Sequence, residues 1–452
     1  MMLAALSLSV ISCDDDDDPK LPVGNDVSTG SSNVTIGSVN VTITGITRNL
    51  AGLEVRMRNT ATETVFTATT NTNGMAEFKV APGIYEVSAS MTITTDEYKY
   101  IYNGSKGQVT IVSGQNDNIE LEITETKVRL VVGEGTLVIK ELYNGGCQKD
   151  DGSGFFQADK CVILYNNSAN PVKAANLCFA IISPYNSQAD NKWYDEGGKL
   201  IYADDNYLPA LDGIWYFPDT LRVNPYQQVV VNCQGAINNI KTYSQSVNYA
   251  NKDYYCMYDP EIGYNNKSYY PTPADVIPTS HYLKAVKIGI SNAWALSITS
   301  PALVLFQTKD VSLTDYMANA DNMIYTPGAA QNDINKNLKV RREWIIDGIE
   351  VYTSTSNDNV KRLTADVDAG YVTLTNKQGH VLYRNIDQKA TEALVENSGK
   401  LVYNYSLGVE NSTDPSGIDA EASMKNGAHI VFQDTNNSTA DFHERLKCSL
   451  RN

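Results

Sequence analysis

The chain has 452 residues, of which 42% are hydrophobic and 19% are charged, values typical of globular proteins. Its 52 acidic residues outnumber the 36 basic ones and give a formal charge of −16, which disfavours nucleic acid as a partner. The length predicts two or three domains, and no apolar stretch beyond the first residues is long enough to predict a transmembrane helix.

Residues 1–11 are uncharged and mostly apolar, and they lead to Cys13. At about 1.5 Å per residue this run is too short to cross roughly 30 Å of hydrocarbon, so it predicts a signal peptide. Residues 10–12, Val-Ile-Ser, resemble a bacterial lipobox, although no Lys or Arg precedes the run. The resemblance implies that residues 1–13 end in a lipidated Cys13. An ordinary cysteine at an exposed apolar terminus is the alternative.

Five aspartates follow Cys13 directly: Asp14, Asp15, Asp16, Asp17 and Asp18. Like charges repel one another and avoid apolar surroundings, so we expect this run to be extended and solvated. It resembles the acidic export signal of Bacteroidota lipoproteins, which implies an acyl-anchored protein in the outer membrane that faces the cell exterior. Residues 14–33 also include a Pro-, Gly- and Ser-rich stretch that predicts a flexible tether. A merely solvated acidic spacer is the alternative for the aspartates.

From residue 34 to residue 126 apolar and polar residues alternate, which predicts β-strands with one buried face. Asn73-Gly74 predicts a hairpin turn, and Pro82-Gly83 predicts a second turn before an edge-like strand. This order of strands and turns resembles the transthyretin-like, or carboxypeptidase-regulatory-like, β-sandwich. The resemblance implies that residues 34–126 form a structural spacer without an active site.

Residues 127–452 begin with two predicted strands, 137–144 and 159–167, which a Gly- and Asp-rich loop separates. Together with a later Asn-Pro turn they resemble the lamin-tail type of immunoglobulin-like sandwich, which implies a fold rather than a chemistry. Gln227-Gln228 depart from this pattern, because glycine normally stands there. We therefore expect a mostly β chain, in which a small transthyretin-like sandwich precedes a larger lamin-tail-like sandwich with long loop insertions.

Two further segments of this region have their own patterns. Residues 301–307 form a short apolar run that predicts a buried strand. Residues 387–397 contain good helix formers, with Gly399 just beyond, and predict a short helix. The rest is predicted to be strand and loop. Through residues 343–351 and 383–385, the whole resembles an uncharacterised family of Bacteroidota lipoproteins.

Six cysteines remain beyond Cys13: Cys147, Cys161, Cys178, Cys233, Cys256 and Cys448. An even count in an exported chain permits disulfides, but the sequence does not choose among the many connectivities. Buried free thiols are the alternative. No pair has C-x-x-C spacing and the four histidines are scattered, so we expect neither a metal nor a cofactor.

The candidate ligand-binding residues are aromatic, since the chain has 28 Tyr but only 9 Phe. Local concentrations occur at Trp193, Tyr194, Trp215, Tyr216, Tyr254 and Tyr255. Aromatic faces with polar rims suit sugar rings, and tyrosine adds a hydroxyl group at low entropic cost. The sequence therefore favours glycan or peptide binding by these loops. Ordinary wet outer loops of an exported sandwich are the alternative.

Motifs that support catalysis are weak in this sequence. There is no G-x-S-x-G elbow, and the acidic residues Glu343, Asp347 and Glu350 are spaced as on strand faces. Residues 434–441 offer oxygen ligands at calcium-like spacing but lack the EF-hand glycine and glutamate, so a self-capped loop is preferred. We therefore expect that the protein is not an enzyme.

Together these features predict a non-catalytic surface lipoprotein that binds a glycan or peptide beside a TonB-dependent importer of the SusC/SusD kind. This partner is implied by the resemblance to surface lipoproteins, and not by any single motif. Two alternatives stay open at this point. One is a surface hydrolase acting on glycan or peptide, and the other is an adhesin.

Overall fold

The computed structural model of the protein describes residues 36–95, 98–129, 135–262, 270–289 and 296–451. Over these residues the fold is mostly β, as the sequence predicts. Cys13 and the aspartates that follow it lie outside the described residues. Within the described ranges, no helix combines the length and the apolar character that crossing a membrane would need.

The first eight strands form two sheets around one hydrophobic core. They are β1 Gly37–Thr44, β2 Glu54–Asn59, β3 Val65–Thr69, β4 Met75–Val80, β5 Gly83–Thr94, β6 Tyr98–Ile111, β7 Asn116–Glu122 and β8 Thr124–Arg129. The sheet orders are β4-β1-β7 and β3-β2-β5-β6-β8, with β1 and β7 parallel. Alternate side chains such as Val39, Val41 and Met57 are fully buried between the sheets. The period-two pattern thus puts its apolar face in this core.

Both predicted turns of this region connect one sheet to the other. Gly74 has a φ of +72°, and the Asn73 amide donates to the Asn71 side chain at 2.8 Å, which confirms a turn. The predicted hairpin is wrong, because β3 pairs with β2 whereas β4 pairs with β1. After Pro82-Gly83 the chain returns to the other sheet, where β5 lies between β2 and β6 and not at an edge. A turn residue fixes a reversal, but packing decides which strands pair.

The later strands form one large sheet and two small two-stranded sheets. They are β9 Leu137–Tyr143, β10 Cys147–Gln148, β11 Phe155–Phe156, β12 Lys160–Asn166, β13 Val172–Ala174, β14 Leu177–Ile182, β15 Tyr207–Tyr216, β16 Leu221–Val223, β17 Gln228–Gln234, β18 Tyr255–Met257, β19 Tyr282–Lys287, β20 Ala302–Gln307, β21 Met323–Tyr325, β22 Lys336–Arg341, β23 Ile345–Thr353, β24 Val372–Leu374, β25 Val381–Arg384 and β26 Phe442–Arg445. The predicted strands at 137–144, 159–167 and 301–307 correspond to β9, β12 and β20.

The large sheet has the order β24-β23-β20-β14-β15-β19-β18-β17-β12-β9-β25-β26; in addition, β22 pairs with β15, and β21 pairs with β22. It rolls on itself, since the Ile139 amide on β9 donates to Asp347 Oδ2 on β23 at 2.6 Å. Apolar side chains such as Leu142, Val162 and Leu305 fill the inside of the roll. Loops and short helices pack on its outer face, through side chains such as Trp193, Tyr316 and Ile418.

Helices are few and short: α1 Leu313–Ala318, α2 Gln388–Ala393, α3 Ala420–Lys425 and α4 Ser438–Asp441. Helix α2 confirms the helix predicted at 387–397. Asp387 caps it by accepting from the Ala390 amide at 2.9 Å. The other three helices were predicted as strand or loop. Single 3₁₀ turns lie at Asn239–Lys241, Thr279–His281, Ala320–Asn322, Asp333–Asn335, Arg342–Trp344 and Val395–Asn397.

Candidate functional site

A cavity of about 310 Å³ lies between the outer face of the rolled sheet and the segments that cover it. We call it the Lys140 cavity. Strands β9 and β12, the turn before β17, helix α3 and the end of the described chain all contribute to its walls. The lining residues are Lys140, Tyr165, Tyr226, Gln227, Gln228, Glu421, Met424 and Ser449. Because these residues come from distant parts of the sequence, the cavity exists only in the folded chain.

Lys140 is the cation of this cavity, with a side chain only 1% exposed. Its Nζ donates a hydrogen bond to Gln228 Oε1 at 2.9 Å and lies 3.6 Å from Glu421 Oε1. The ammonium also lies 5.2 Å from the ring centroid of Tyr383. A buried charge is tolerated only when it is paired and hydrogen-bonded, and these contacts supply both conditions.

Glu421 is the matching anion. It accepts hydrogen bonds from the Tyr383 hydroxyl and from Arg445 Nη1, each at 2.8 Å. The neighbouring Glu141 is buried and accepts the Ser449 backbone N–H at 2.9 Å. Two basic and two acidic side chains therefore compensate one another, and the surroundings of the cavity are close to neutral.

Burial and neighbouring charges fix the protonation states of this network. Burial raises the pKa of a carboxyl group, but the charges of Lys140 and Arg445 outweigh it and hold the pKa of Glu421 below its ordinary value. Burial, aided by the charge of Arg445, lowers the pKa of His443 to about 3. Burial and the charge of Glu421 raise the pKa of Tyr383 well above its ordinary value. At neutral pH Glu421 is ionised, whereas His443 and Tyr383 are neutral.

Tyr226 forms an aromatic wall of the cavity. Its φ of +56° lies in the left-handed region, which residues other than glycine rarely adopt. Its ring stacks on His429, with centroids 4.4 Å apart and an angle of 16° between the planes. The turn therefore keeps a glycine-like conformation without glycine, and it places Gln227 and Gln228 on the cavity wall. The departure from the lamin-tail pattern coincides with the candidate site.

The two predicted tryptophans lie in the interior and not on binding loops. Trp193 is 1% exposed, and its Nε1 donates to Ser183 Oγ at 3.0 Å. Trp215 is fully buried inside the rolled sheet, 5.4 Å from the ring of Tyr270. Neither indole can stack on a ligand at the surface, which corrects the expectation for these two residues. Both are large apolar side chains whose burial stabilises the core.

The four predicted tyrosines are half-buried and lie at separate places. The Tyr194 hydroxyl donates to the Lys361 carbonyl at 3.0 Å, while Tyr216 packs against the outer cluster of the sheet. Tyr254 borders the cluster around Cys161. Tyr255 stacks on His281, with ring centroids 4.1 Å apart. The structure does not bring these residues together into one aromatic face, and none of them lines the Lys140 cavity.

Several of the acidic residues that the sequence offers for catalysis or metal binding have structural partners. Glu350 pairs with Arg362 at 2.7 Å, and both side chains are fully buried. In the 434–441 loop, Asp441 accepts from the Thr435 amide at 2.8 Å and from the Asn437 amide at 3.2 Å, as expected of a self-capped loop. Across the part of the chain that the structure describes, no group of three or more His, Cys, Asp or Glu residues is arranged to hold a metal.

Sequence reasoning missed the two central residues of the cavity. Lys140 interrupts β9, all of whose residues are buried, and a charge inside a fully buried strand signals that a partner must be present. Glu421 lies on α3, which Asp419 caps by accepting from the Ala422 amide at 2.9 Å. An Asp cap followed by good helix formers and Gly427 could have revealed this helix.

Comparison with known proteins gives a family match in the same region. A family described as "Protein of unknown function (DUF4876)" matches residues 224–449, half of the chain. No curated protein matches. Among solved structures, a DUF4876 family protein from Bacteroides thetaiotaomicron is 20% identical, with 90% of this chain and 94% of that chain covered and a TM-score of 0.49. A DUF3823 family protein from Parabacteroides merdae is 10% identical, with 41% of this chain and 92% of that chain covered and a TM-score of 0.16.

Proposed function

Because the chain belongs to the DUF4876 family, a family of unknown function, we propose its role from the Lys140 cavity: it binds a neutral glycan or peptide segment there and does not transform it. The observation that carries this proposal is the mutual pairing of the charges at the cavity. Lys140 and Glu421 already satisfy one another, together with Gln228, Tyr383 and Arg445.

The same pairing argues against a hydrolase. A glycosidase needs a carboxylic acid whose pKa is raised, so that it can protonate the leaving group. The pKa of Glu421 is shifted in the opposite direction, because two cations stabilise its ionised form. Lys140 is engaged with an amide oxygen and a carboxylate, so its amine is not free to act as a nucleophile or base.

The remaining groups on the cavity wall suit a neutral ligand. Tyr226 and Met424 supply apolar surface, while the amides of Gln227 and Gln228 can both donate and accept hydrogen bonds. A charged ligand would find no uncompensated charge among these groups. Hydroxyl groups of a sugar or backbone amides of a peptide would find both an apolar wall and polar partners.

In the cell, we place this binding activity at the outer surface of the outer membrane. The lipobox-like residues before Cys13 and the five aspartates after it support an acyl anchor and export. A captured glycan or peptide would then pass to a neighbouring SusC/SusD-type importer. The β1–β8 region would hold the cavity away from the membrane as a spacer.

The binding proposal is tested by measuring binding of the purified chain to arrays. The arrays carry neutral glycans, charged glycans and peptides. We expect binding to a neutral class, and about a tenfold loss of affinity in Tyr226→Asn, since asparagine tolerates the left-handed backbone while the ring is removed. The matched control is Tyr403→Ala, because Tyr403 is 56% exposed and does not line the cavity. Equal losses in both variants, or product formation from any bound glycan, would contradict the proposal.

The transport role needs a separate measurement. Detergent extraction of the native outer membrane, followed by pull-down and mass spectrometry, should recover a SusC/SusD-type pair with the protein. Binding of host or matrix protein without such a pair would favour an adhesin instead.

A further inference from the structure

The six cysteines beyond Cys13 are all buried with free thiols, and they fall into different parts of the core. Cys233 lies inside the rolled sheet. Cys178 and Cys256 belong to two separate outer clusters. Cys161 and Cys448 share a third outer cluster with Tyr143 and Tyr249. A disulfide requires Cα atoms within about 7 Å, so this partition leaves few pairs that could form one.

Strand register explains why Cys161 and Cys448 meet. Cys161 on β12 lies directly opposite Tyr143 on β9, on the outer face of the sheet. Glu141 lies two residues before Tyr143 on the same face, and its carboxylate accepts a hydrogen bond from the Ser449 backbone N–H at 2.9 Å. The residue before Ser449 is therefore placed beside Tyr143, and Cys448 and Cys161 pack in the same buried cluster.

Cys161 cannot reach the next cysteine along the neighbouring strand. Its register partner on β17 is Asn232, and Cys233 follows on the opposite face of the sheet. Cys147 is buried outside the cluster that Cys161 and Cys448 share, and the Asp159 carboxyl group beside it helps burial to raise the pKa of its thiol.

We propose that Cys161 and Cys448 form a disulfide bond in the exported protein. The reaction takes its oxidant from another disulfide, either a protein disulfide of the cell envelope or glutathione disulfide. The thiolate of one cysteine attacks that disulfide, releases one thiol and forms a mixed disulfide. The second cysteine then displaces the other thiol, so that two cysteines lose two protons and two electrons while one disulfide is reduced to two thiols.

The bond forms before the end of the chain docks. Thiol–disulfide exchange requires a thiolate, and both cysteines are fully buried in the native structure. Burial raises the pKa of Cys448 well above its ordinary value, so its thiol is unreactive once folded. Exchange is fast only while the C-terminal residues are still exposed to the solvent.

The bond would also fix one wall of the Lys140 cavity. Ser449 lines that cavity and follows Cys448 directly. The two cysteines are far apart in the sequence, which is the case in which a disulfide restricts the unfolded chain most. The disulfide does not depend on the ligand-binding proposal.

Tryptic mapping of the non-reduced protein tests the bond directly. Cleavage after Lys160 and Lys447 gives two short peptides that carry only Cys161 and only Cys448. The protein is purified from its own membrane with iodoacetamide present from lysis onward. The expected result is one cross-linked pair of these peptides, lighter than the sum of the two by two hydrogen atoms, with the other four cysteines alkylated. Recovery of both peptides in alkylated form, or joined to other cysteines, would overturn the proposal.

A refolding experiment distinguishes a disulfide bond that forms during folding from one that forms later, by oxidation of the folded protein. The reduced chain is refolded from urea either with glutathione disulfide or with dithiothreitol, and the folded reduced form is then exposed to glutathione disulfide. We expect the bond only in the first case, and a higher Tm for that product. A Cys161→Ser/Cys448→Ser variant should show the same Tm under both refolding conditions, whereas Cys178→Ser should still form the cross-linked pair. Equally rapid oxidation of the folded reduced protein would overturn the order of events.

Discussion

The β1–β8 region and the β9–β26 region bury different kinds of side chain. Among the described residues up to 129, the buried polar side chains are Thr70 and Asn103, and neither is charged. The later region buries many charged groups, including Lys140, Glu141, Asp159, Lys160, Asp347, Glu350, Arg362, Asp368, Arg384, Asp441, Glu444 and Arg445. An apolar core suffices to hold a small sandwich together.

Buried ion pairs add little net stability, because the cost of desolvation offsets most of the attraction between the charges. What they do provide in the second region is a fixed geometry for the segments that cover the rolled sheet. Arg384 illustrates this, since its Nε donates to the Ile139 carbonyl at 2.7 Å and its Nη1 to the Gln433 carbonyl at 3.0 Å. The difference between the regions accords with the proposal that the first region is a spacer and the second one binds a ligand.

The largest expected effect comes from breaking a fully buried pair of the second region. Arg362→Ala removes the partner of Glu350 and the donor to the Ser300 carbonyl, so it should lower the free energy of unfolding by about 3–5 kcal/mol. The matched variant of the first region is Arg56→Ala, whose pair with Glu54 is about half exposed and should contribute roughly 0–1 kcal/mol. Urea unfolding followed by circular dichroism measures both. Similar losses would remove the contrast between the regions.

The next effect concerns the Lys140 cavity itself. Glu421→Gln leaves Lys140 and Arg445 without their shared anion and should cost about 2–3 kcal/mol of unfolding free energy. The double variant Lys140→Met/Glu421→Leu removes two opposite charges together and should cost less than the sum of its single changes. A double-mutant cycle in urea gives this coupling. Additive losses would mean that the two side chains do not act as a pair.

Some elements of the fold could be predicted from the sequence, whereas their pairing could not. Strands such as β9, β12 and β20 follow from local apolar runs, and helix α2 follows from its composition and its Asp387 cap. Pairing across the sheets does not follow, because the turn at Asn73-Gly74 has the same local chemistry whether it joins neighbouring strands or two sheets.

The candidate site was harder to predict than the fold. Aromatic residues such as Trp193 and Trp215 have the chemistry of a binding face, but the same chemistry also suits a core, and only packing decides between the two. Lys140 and Glu421 lie far apart in the sequence, and no local pattern announces that an ion pair will form between a strand and a distant helix. The local signals at the site were Lys140 inside an apolar run, the Asp419 cap of helix α3 and the missing glycine at Gln227-Gln228.

Acid should act mainly on the second region, because all four histidines lie there. All four tryptophans also lie there, so their fluorescence reports on the unfolding of that region. Burial lowers the pKa of His443 from 6.5 to about 3, so between these values the unfolded chain binds a proton that the folded chain does not. The contribution of His443 to stability is therefore complete above pH 6.5 and is lost as the pH falls towards 3.

In His443→Asn this part of the pH dependence should disappear, although hydrogen bonds to Tyr405 and Asn385 are also affected. The informative quantity is therefore the slope of the unfolding free energy against pH, and not the absolute value of that free energy. Tryptophan fluorescence measures this slope between pH 4 and 6.5. Asp347 and Asp441 oppose this trend in both proteins, since burial raises the pKa of each to about 6. An unchanged slope in the variant would show that His443 is protonated in the folded state.

The smallest effect lies at the junction of the two regions. Lys99 on β6 contacts Asp434 with its Nζ 2.5 Å from Oδ2, and both side chains are less than a fifth exposed. Lys99→Ala should cost about 1–2 kcal/mol, more than Lys192→Ala, whose partner Asp190 is mostly exposed. Removing the junction contact should also uncouple the regions. Circular dichroism reports both regions and tryptophan fluorescence only the second, so urea transitions that coincide in the wild type should separate in Lys99→Ala. If they stay coincident, the remaining hydrogen bonds from Asn103 to the 434–436 loop suffice to make the two regions unfold as one unit.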